Sequence, residues 1–280
     1  MSRRVVVTGL GIISSIGNDL ATVTDSLKHG KSGTRAVEQW TEYGLTSLVA
    51  GLIDLPDDRI EAAEIPKKLR KAMPPSALYC GVAARDAVAD AALSPEELAD
   101  PRTACIVSSG VADVSVIHSE AVKVHSGKIR RVDPFTVIRS MSSTPSAVLT
   151  KLLGITGRSY SMSSACATSA HSIGHCYELI RDGIIDRAVT GGGEEVNELI
   201  TGSFQALRLA LSTNFNDRPE TASRPYDKDR DGFVISGGAG ILVLETLESA
   251  QARGAKIHGE IIGYSANSDP YDLVLPQADG

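Results

Sequence analysis

Cys166 has the surroundings most suited to chemistry. It lies in the run RSYSMSSACATSAH (158–171), where a short strand over Arg158–Met162 is expected to pass through a small-residue turn into a helix. A cysteine at such an elbow stands beside the first unpaired N–H groups of the helix. The positive end of the helix dipole favours thiolate over thiol, and the same N–H groups can hold an oxyanion. Strand–elbow–helix placement is one that nucleophiles use. Free cysteine also serves as a small core residue, and Ser163, Ser164, Ala165, Ala167 and Ser169 suit a sharp turn as well as an approaching carbonyl.

The surrounding polar residues do not complete a second chemistry. His171 and His175 form an HxxxH pair with Cys176 nearby, but neither an HExxH glutamate nor a third spaced ligand accompanies them. Five residues of helix turn about 140°, which points His171 away from Cys166 as a base. Both histidines are expected to pack or cap. Asp227, Asp229, Asp231 and Gly232 match the start of a calcium loop, yet Gly238 stands where the bidentate glutamate belongs. Arg224, Asp227, Arg230 and Asp231 are therefore read as a network bracing a loop. Gly191-Gly192-Gly193-Glu194-Glu195 lacks the lysine and hydroxyl of a phosphate loop, and two glutamates would repel phosphate. Close backbone packing is the expected use. No cofactor and no metal are called for.

Composition sets the wider frame. The 280 residues allow one large domain or two small ones, and 42% apolar with 22% charged residues is the balance of an ordinary globular chain. A net charge of −6 argues against bulk nucleic-acid binding. Cys80, Cys105, Cys166 and Cys176 form no CxxC pair, which favours a reducing compartment. The start MSRRVVVTGLGIISSIG is broken by glycine, serine and threonine, unlike a secretory leader, and no run reaches transmembrane length. A cytoplasmic protein with no membrane association is expected.

The elements that must position Cys166 are legible in part. Arg3–Thr8 reads as a buried strand closed by a Gly9-x-Gly11 turn. Ser14 at the third glycine position, and no acidic strand end some twenty residues on, argue against dinucleotide binding. Helices are expected over Asp19–His29, Ser76–Leu93, from Ser143 to Gly154, over Glu195–Leu211 and over Thr246–Arg253. Ser94-Pro95-Glu96-Glu97 is a capping box. Strands are expected over Leu45–Ile53, Thr103–Val107, Phe233–Leu244 (two, bent by glycines) and Lys256–Ser265. Alternation of strand and helix implies an α/β fold with a parallel sheet. Two basic clusters stand out in an acidic chain: Lys67, Lys68, Arg70 and Lys71, then Lys128, Arg130 and Arg131. Such runs are either solvated helix faces or docking sites for an anionic partner.

Taken together, VVVTGLGIISSIG, SMSSACATSAHSIG, GGGEE, ALSTNFNDRPETASRPYDKDRDGFVISGG and ARGAKIHGEIIGYSANSD resemble the beta-ketoacyl-acyl carrier protein synthases, most nearly synthase I, over essentially the whole chain. The resemblance implies a thiolase-like layered fold with two similar halves, in a homodimer that pairs the strand before Cys166 across its interface. It implies that Cys166 takes an acyl group from acyl carrier protein, with its own backbone N–H as an oxyanion donor. The acyl-enzyme then condenses with the carbanion left by decarboxylation of malonyl-carrier protein. An acyl tunnel is implied near Ser108–Asp113, Phe135–Met141 and Phe204. Lys67, Lys68, Lys71, Arg130 and Arg131 become the expected docking residues for the acidic carrier.

The family pattern runs on for more than a hundred residues with two histidines, a lysine and a glycine-rich Phe loop, whereas no histidine follows His258 here. Residues 1–254 are thus expected to form the nucleophile-bearing half-domain, nearly complete. Residues 255–280 would open the second, missing after its first strand. Little or no condensation by this chain alone, and poor solubility, are expected on that basis. Two other readings are a chain-length-factor-like partner subunit, against which the retained cysteine argues, and a thiolase-fold enzyme acting on coenzyme A thioesters, against which the basic clusters argue.

Overall fold

The structure, a computed structural model, describes residues 2–207 and 211–279. The chain opens with strand β1 (Val5–Ser14), helix α1 (Leu20–Lys28) and the short strands β2 (Arg35–Ala36) and β3 (Val49–Gly51). Helices α2 (Asp57–Ala62), α3 (Lys67–Arg70), α4 (Pro75–Asp90) and α5 (Pro95–Leu98) follow, then strand β4 (Thr103–Ser108). Helices α6 (Val114–His125), α7 (Thr136–Arg139), α8 (Thr144–Leu153) and α9 (Thr168–Arg181) lead to β5 (Arg187–Glu194) and α10 (Glu198–Ala206). Strands β6 (Ile235–Ser236) and β7 (Gly238–Thr246), helix α11 (Leu247–Ala252) and strand β8 (Gly259–Ile261) close the described fold.

The main sheet has the order β4-β5-β7-β1-β8, and β2-β3-β6 form a small second sheet. Only the β4–β5 pair of the main sheet is parallel; β5–β7, β7–β1 and β1–β8 are antiparallel. The expected all-parallel sheet is thus a mixed one. The reason lies in residues 195–237: Glu194 at the end of β5 pairs with Gly238 at the start of β7, so the chain re-enters beside where it left. Among the described residues it builds α10 and β6 on the way without crossing the main sheet.

Alternation along the buried strands sorts side chains to two faces. Cys105 and Val107 of β4 join Val189, Ile241 and Val243 beneath α4 and α8. Ala104 and Ile106 join Val5, Ala188 and Leu244 against Cys176, Leu179 and Ile180 of α9. Each large aliphatic side chain so buried contributes about 1.5–3 kcal/mol. The result is three layers, helix over sheet over helix.

The expected turn at Gly9-x-Gly11 is not a turn. Both glycines lie inside β1, where a Cβ would run into the Ala87 and Ala83 carbonyls of α4. They bring helix and sheet backbones together. Arg158–Met162 also differs from expectation: it is extended, but only Ser159 bridges to Cys105. A serine network holds it instead. Ser146 Oγ lies 2.7 and 2.8 Å from the Val107 and Tyr160 carbonyls, which share its one proton, and Ser161 Oγ donates to the Val107 carbonyl at 2.9 Å. Of the strand expected over Leu45–Ile53, only β3 forms.

Other expectations stand as read. Asp19 caps α1 through the Thr22 N–H, Ser94 and Glu97 make the reciprocal capping box, and Gly154 and Gly254 end their helices with φ of 71° and 66°. The helix expected over Glu195–Leu211 is α10, and its last stretch, 208–210, lies outside the described residues. β8, within the segment expected to open a second half-domain, pairs with β1 at the sheet edge. No described helix is long and apolar enough to cross a membrane.

Candidate functional site

The elbow is built by one residue in an unusual conformation. Ala165 has φ of 46°, in the left-handed region, and turns the chain into a single 3₁₀ turn, Ala165–Ala167, that runs directly into α9. An alanine there costs about 1 kcal/mol or more, so its surroundings must hold it. Two bonds close the turn: the Ala167 N–H donates to the Ser164 carbonyl at 3.0 Å, and the Ser164 N–H donates to the buried Thr168 hydroxyl at 2.8 Å. The Cys166 N–H meets no acceptor among the described residues. It remains the donor that an oxyanion at this site would use.

Cys166 is the one exposed thiol of four. Cys105 and Cys176 are fully buried, which pushes their pKa up to about 12. Burial, with Glu194 and Cys105 adding repulsion, pushes Cys80 higher still. Those three are inert as nucleophiles at neutral pH.

The elbow lies at the carboxyl ends of β4 and β5, the end of an α/β sheet where ligands bind. Beneath it is the 109–111 turn, whose Gly110 leaves room for the Ala165 carbonyl; a Cβ at Gly110 would stand 2.6 Å from that oxygen. On the other side Gly192 of β5 makes space for Ser169 in the first turn of α9. An open depression lined by Ser169, Gly192, Glu194, Gly237 and Gly240 adjoins this turn. Gly191-Gly192-Gly193 thus serves close packing, as expected from its lack of a phosphate loop's other residues. What the sequence reading missed is the role of Glu194. Its carboxylate accepts from the Gly110 N–H and from the Val111 N–H at 3.3 Å, and lies 2.9 Å from Ser109 Oγ, whose one proton is shared with the Val111 carbonyl at 2.5 Å. An acidic residue closing a buried glycine run was the available signal.

Glu195, next in the chain, is nearly buried; burial, with Asp113 repelling it, raises its pKa to about 7, against the pull of Asn197 and Arg139. Asp113 is itself buried and paired with Arg139 at 2.8 Å, which ties α7 to the cap of α6. That pair joins the 108–113 and 135–141 segments, and the Ser109 N–H donates to the Ser142 carbonyl at 3.3 Å just beyond the second of them. Phe204 packs edge-to-face on Phe233 at 6.1 Å. Phe233 in turn lines a cavity of about 900 Å³ with Arg224, Tyr226 and Arg230.

The histidines are held by tyrosines: His171 Nδ1 by the Tyr264 hydroxyl, and His175 Nε2 by the Tyr160 hydroxyl at 2.8 Å. Among the described residues no group of three metal-ligating side chains stands together. Asp231 accepts from the Thr213 and Asn214 N–H groups, both at 2.8 Å, and Arg224 pairs with Asp227 at 3.7 Å while lying over the Phe215 ring. That is the bracing network read from the sequence. Lys67, Lys68 and Lys71 are exposed on and beside α3, and Arg130 and Arg131 are exposed in the turn after α6. None of the five has an ion-pair partner among the described residues.

Residues 2–250 match the model of the beta-ketoacyl synthase N-terminal domain. The 3-oxoacyl-[acyl-carrier-protein] synthase 1 of Haemophilus influenzae is 44% identical, over 99% of this chain and 68% of that protein. A crystal structure of a beta-ketoacyl synthase from Burkholderia phymatum superposes with a TM-score of 0.89 at 32% identity, over 99% of this chain and 67% of that one. A type II polyketide ketosynthase, solved in complex with its acyl-carrier protein and bound to a hexaketide, superposes with a TM-score of 0.84 at 28% identity, over 97% of this chain and 65% of that one. With the exposed cysteine on its elbow and a match along nearly its whole length, the chain belongs to the beta-ketoacyl synthase family.

Proposed function

We propose that this protein is a 3-oxoacyl-acyl carrier protein synthase of fatty-acid elongation, with Cys166 as the acyl acceptor. The observation that carries the reading is the single exposed thiol on a left-handed elbow, beside a free N–H and ahead of a 14-residue helix. In the first half-reaction the Cys166 thiolate attacks the thioester carbonyl of acyl-carrier protein. The tetrahedral oxyanion draws on the Cys166 N–H, the new C–S bond forms, and the carrier thiolate leaves and takes up the proton lost by the cysteine. In the second, which this chain alone is expected to carry out little or not at all, malonyl-carrier protein loses carbon dioxide, and the resulting carbanion attacks the acyl-Cys166 carbonyl and expels the cysteine thiolate.

The carrier docks on Lys67, Lys68, Lys71, Arg130 and Arg131, whose charges have no partner within the described structure. The extended 158–162 segment flanks the β4 edge of the sheet and exposes Arg158, Ser159 and Tyr160, which suits it to pairing with a second copy. The acyl chain lies between the 108–113 and 135–141 segments and Phe204, and the enzyme works in the cytoplasm.

Mass spectrometry after incubation with acyl-carrier protein tests the reading. A single acyl adduct on Cys166, absent in Cys166→Ala, is expected; no adduct on the folded protein would sink it. Charge reversal of Lys67 and Lys68 is expected to raise the carrier-protein KM about tenfold at low salt, with less effect at high salt.

A further inference from the structure

Glu194 has a place in the fold that structure alone does not require of a glutamate. It ends β5, lies half-buried, and forms no ion pair among the described residues. Instead the Gly110 and Val111 N–H groups of one turn donate to it, and the Ser109 hydroxyl lies 2.9 Å away with its one proton shared with the Val111 carbonyl. Burial pushes its pKa up and those three contacts oppose the shift. The turn it grips is the one that meets the Ala165 carbonyl through Gly110. Ala165 is the residue held at φ of 46°, and Cys166 follows it. The same strand end, through Gly192, seats Ser169 in the first turn of α9. The end of β5 thus supports the elbow from both sides.

We propose that Glu194 is a positioning residue: its carboxylate fixes the 109–111 turn against Ala165 and thereby aims Cys166 and its N–H at the reacting carbonyl. The inference rests on Cys166 being the nucleophile. A carboxylate suits the task because every donor it faces needs an acceptor. An amide offers one acceptor oxygen and turns an NH₂ toward at least one N–H. Loss of the grip lets the turn relax, releases the left-handed Ala165, and moves the sulfur off line.

The test compares the full chain with Glu194→Gln in two assays. In acyl transfer from acyl-carrier protein, kcat is expected to fall about 10- to 100-fold with KM unchanged, the size of effect that a misplacement near 1 Å produces. In alkylation of Cys166 by iodoacetamide at one fixed pH, the rate is expected to fall, because the sulfur loses alignment with the α9 terminus. Removing a negative charge without moving the elbow would do the opposite, raising the rate. Unchanged kcat, a change in KM alone, or a raised alkylation rate would overturn the proposal. If Glu194→Gln does not fold, Ser109→Ala removes the hydroxyl that joins Glu194 to the Val111 carbonyl within the turn, and a smaller fall in kcat, about threefold, is expected; wild-type kcat there would overturn it. Failure of the unmodified protein to take an acyl group would count against the synthase reading instead, and the alkylation rates would still decide on Glu194.

Discussion

Cys166 and Glu195 show how burial divides reactive groups from silent ones. The sequence could single out Cys166 by its placement between strand and helix, but it had no means of showing that Cys80, Cys105 and Cys176 are all buried. Iodoacetamide should therefore modify Cys166 in the folded protein at least about 100-fold faster than the other three, which react only after unfolding. Time-resolved peptide mapping reads this directly. Glu195 was legible only as a charge repelling phosphate. In the structure its pKa rises from 4.5 to about 7 because burial and Asp113 disfavour the carboxylate. Folding therefore takes up a proton, and stability falls as pH rises from about 4.5 to 7. Glu195→Gln should stabilise the protein at pH 8 by about 1–3 kcal/mol, with the gain fading toward pH 4.5. Urea denaturation at the two pH values measures the difference; an equal effect at both would count against the shifted carboxyl.

At the scale of elements, what the sequence disclosed was local and what it concealed was packing. Asp19, the Ser94–Glu97 box and Gly154 act within one helical turn, so their residue types were enough. Ser94→Ala should lower stability by about 1 kcal/mol, visible as a shift in the urea midpoint. Gly9 and Gly11 were read as a turn because glycine pairs after a β-branched run usually mark one. Their true reason is the α4 backbone more than seventy residues away in the chain. Gly11→Ala forces a Cβ into the Ala83 carbonyl and should cost about 2–4 kcal/mol; a thermal melt like that of the unmodified protein would refute the close approach. The 158–162 segment had a strand's composition, yet Ser146 and Ser161 supply the hydrogen bonds a ladder would have supplied. Side-chain substitution for backbone pairing leaves no period in the sequence to detect.

At the scale of the molecule, the two ends of the sheet are built differently. Away from the elbow, Glu245 is fully buried; burial would raise its pKa, but the Arg253 guanidinium, with Thr8 Oγ1 at 2.6 Å, outweighs this and holds it below its ordinary value. A lowered carboxyl stabilises the fold above its unfolded pKa and loses that contribution as pH falls through the folded one. Arg253→Ala, which strands the buried charge, should destabilise the protein by about 3 kcal/mol at pH 7 and by much less in acid. Glu195 has the opposite trend, so each end of the sheet has its own pH signature. The alternation of strands and helices announced an α/β fold, but not the antiparallel return of β7, because strand direction depends on where a connection goes.

That return has a practical consequence. Residues 195–237 leave and re-enter between paired neighbours, Glu194 and Gly238, and residues 110–141 do the same between Ser109 and Ser142. Each excursion has a closed stem, so either can be exchanged with a relative's without re-threading the main sheet, provided that β6 keeps its pairing with β3. If the acyl chain lies along this segment as proposed, swapping 110–141 should transplant chain-length preference while leaving the melting temperature of the host within a few degrees, a shift of about 1 kcal/mol.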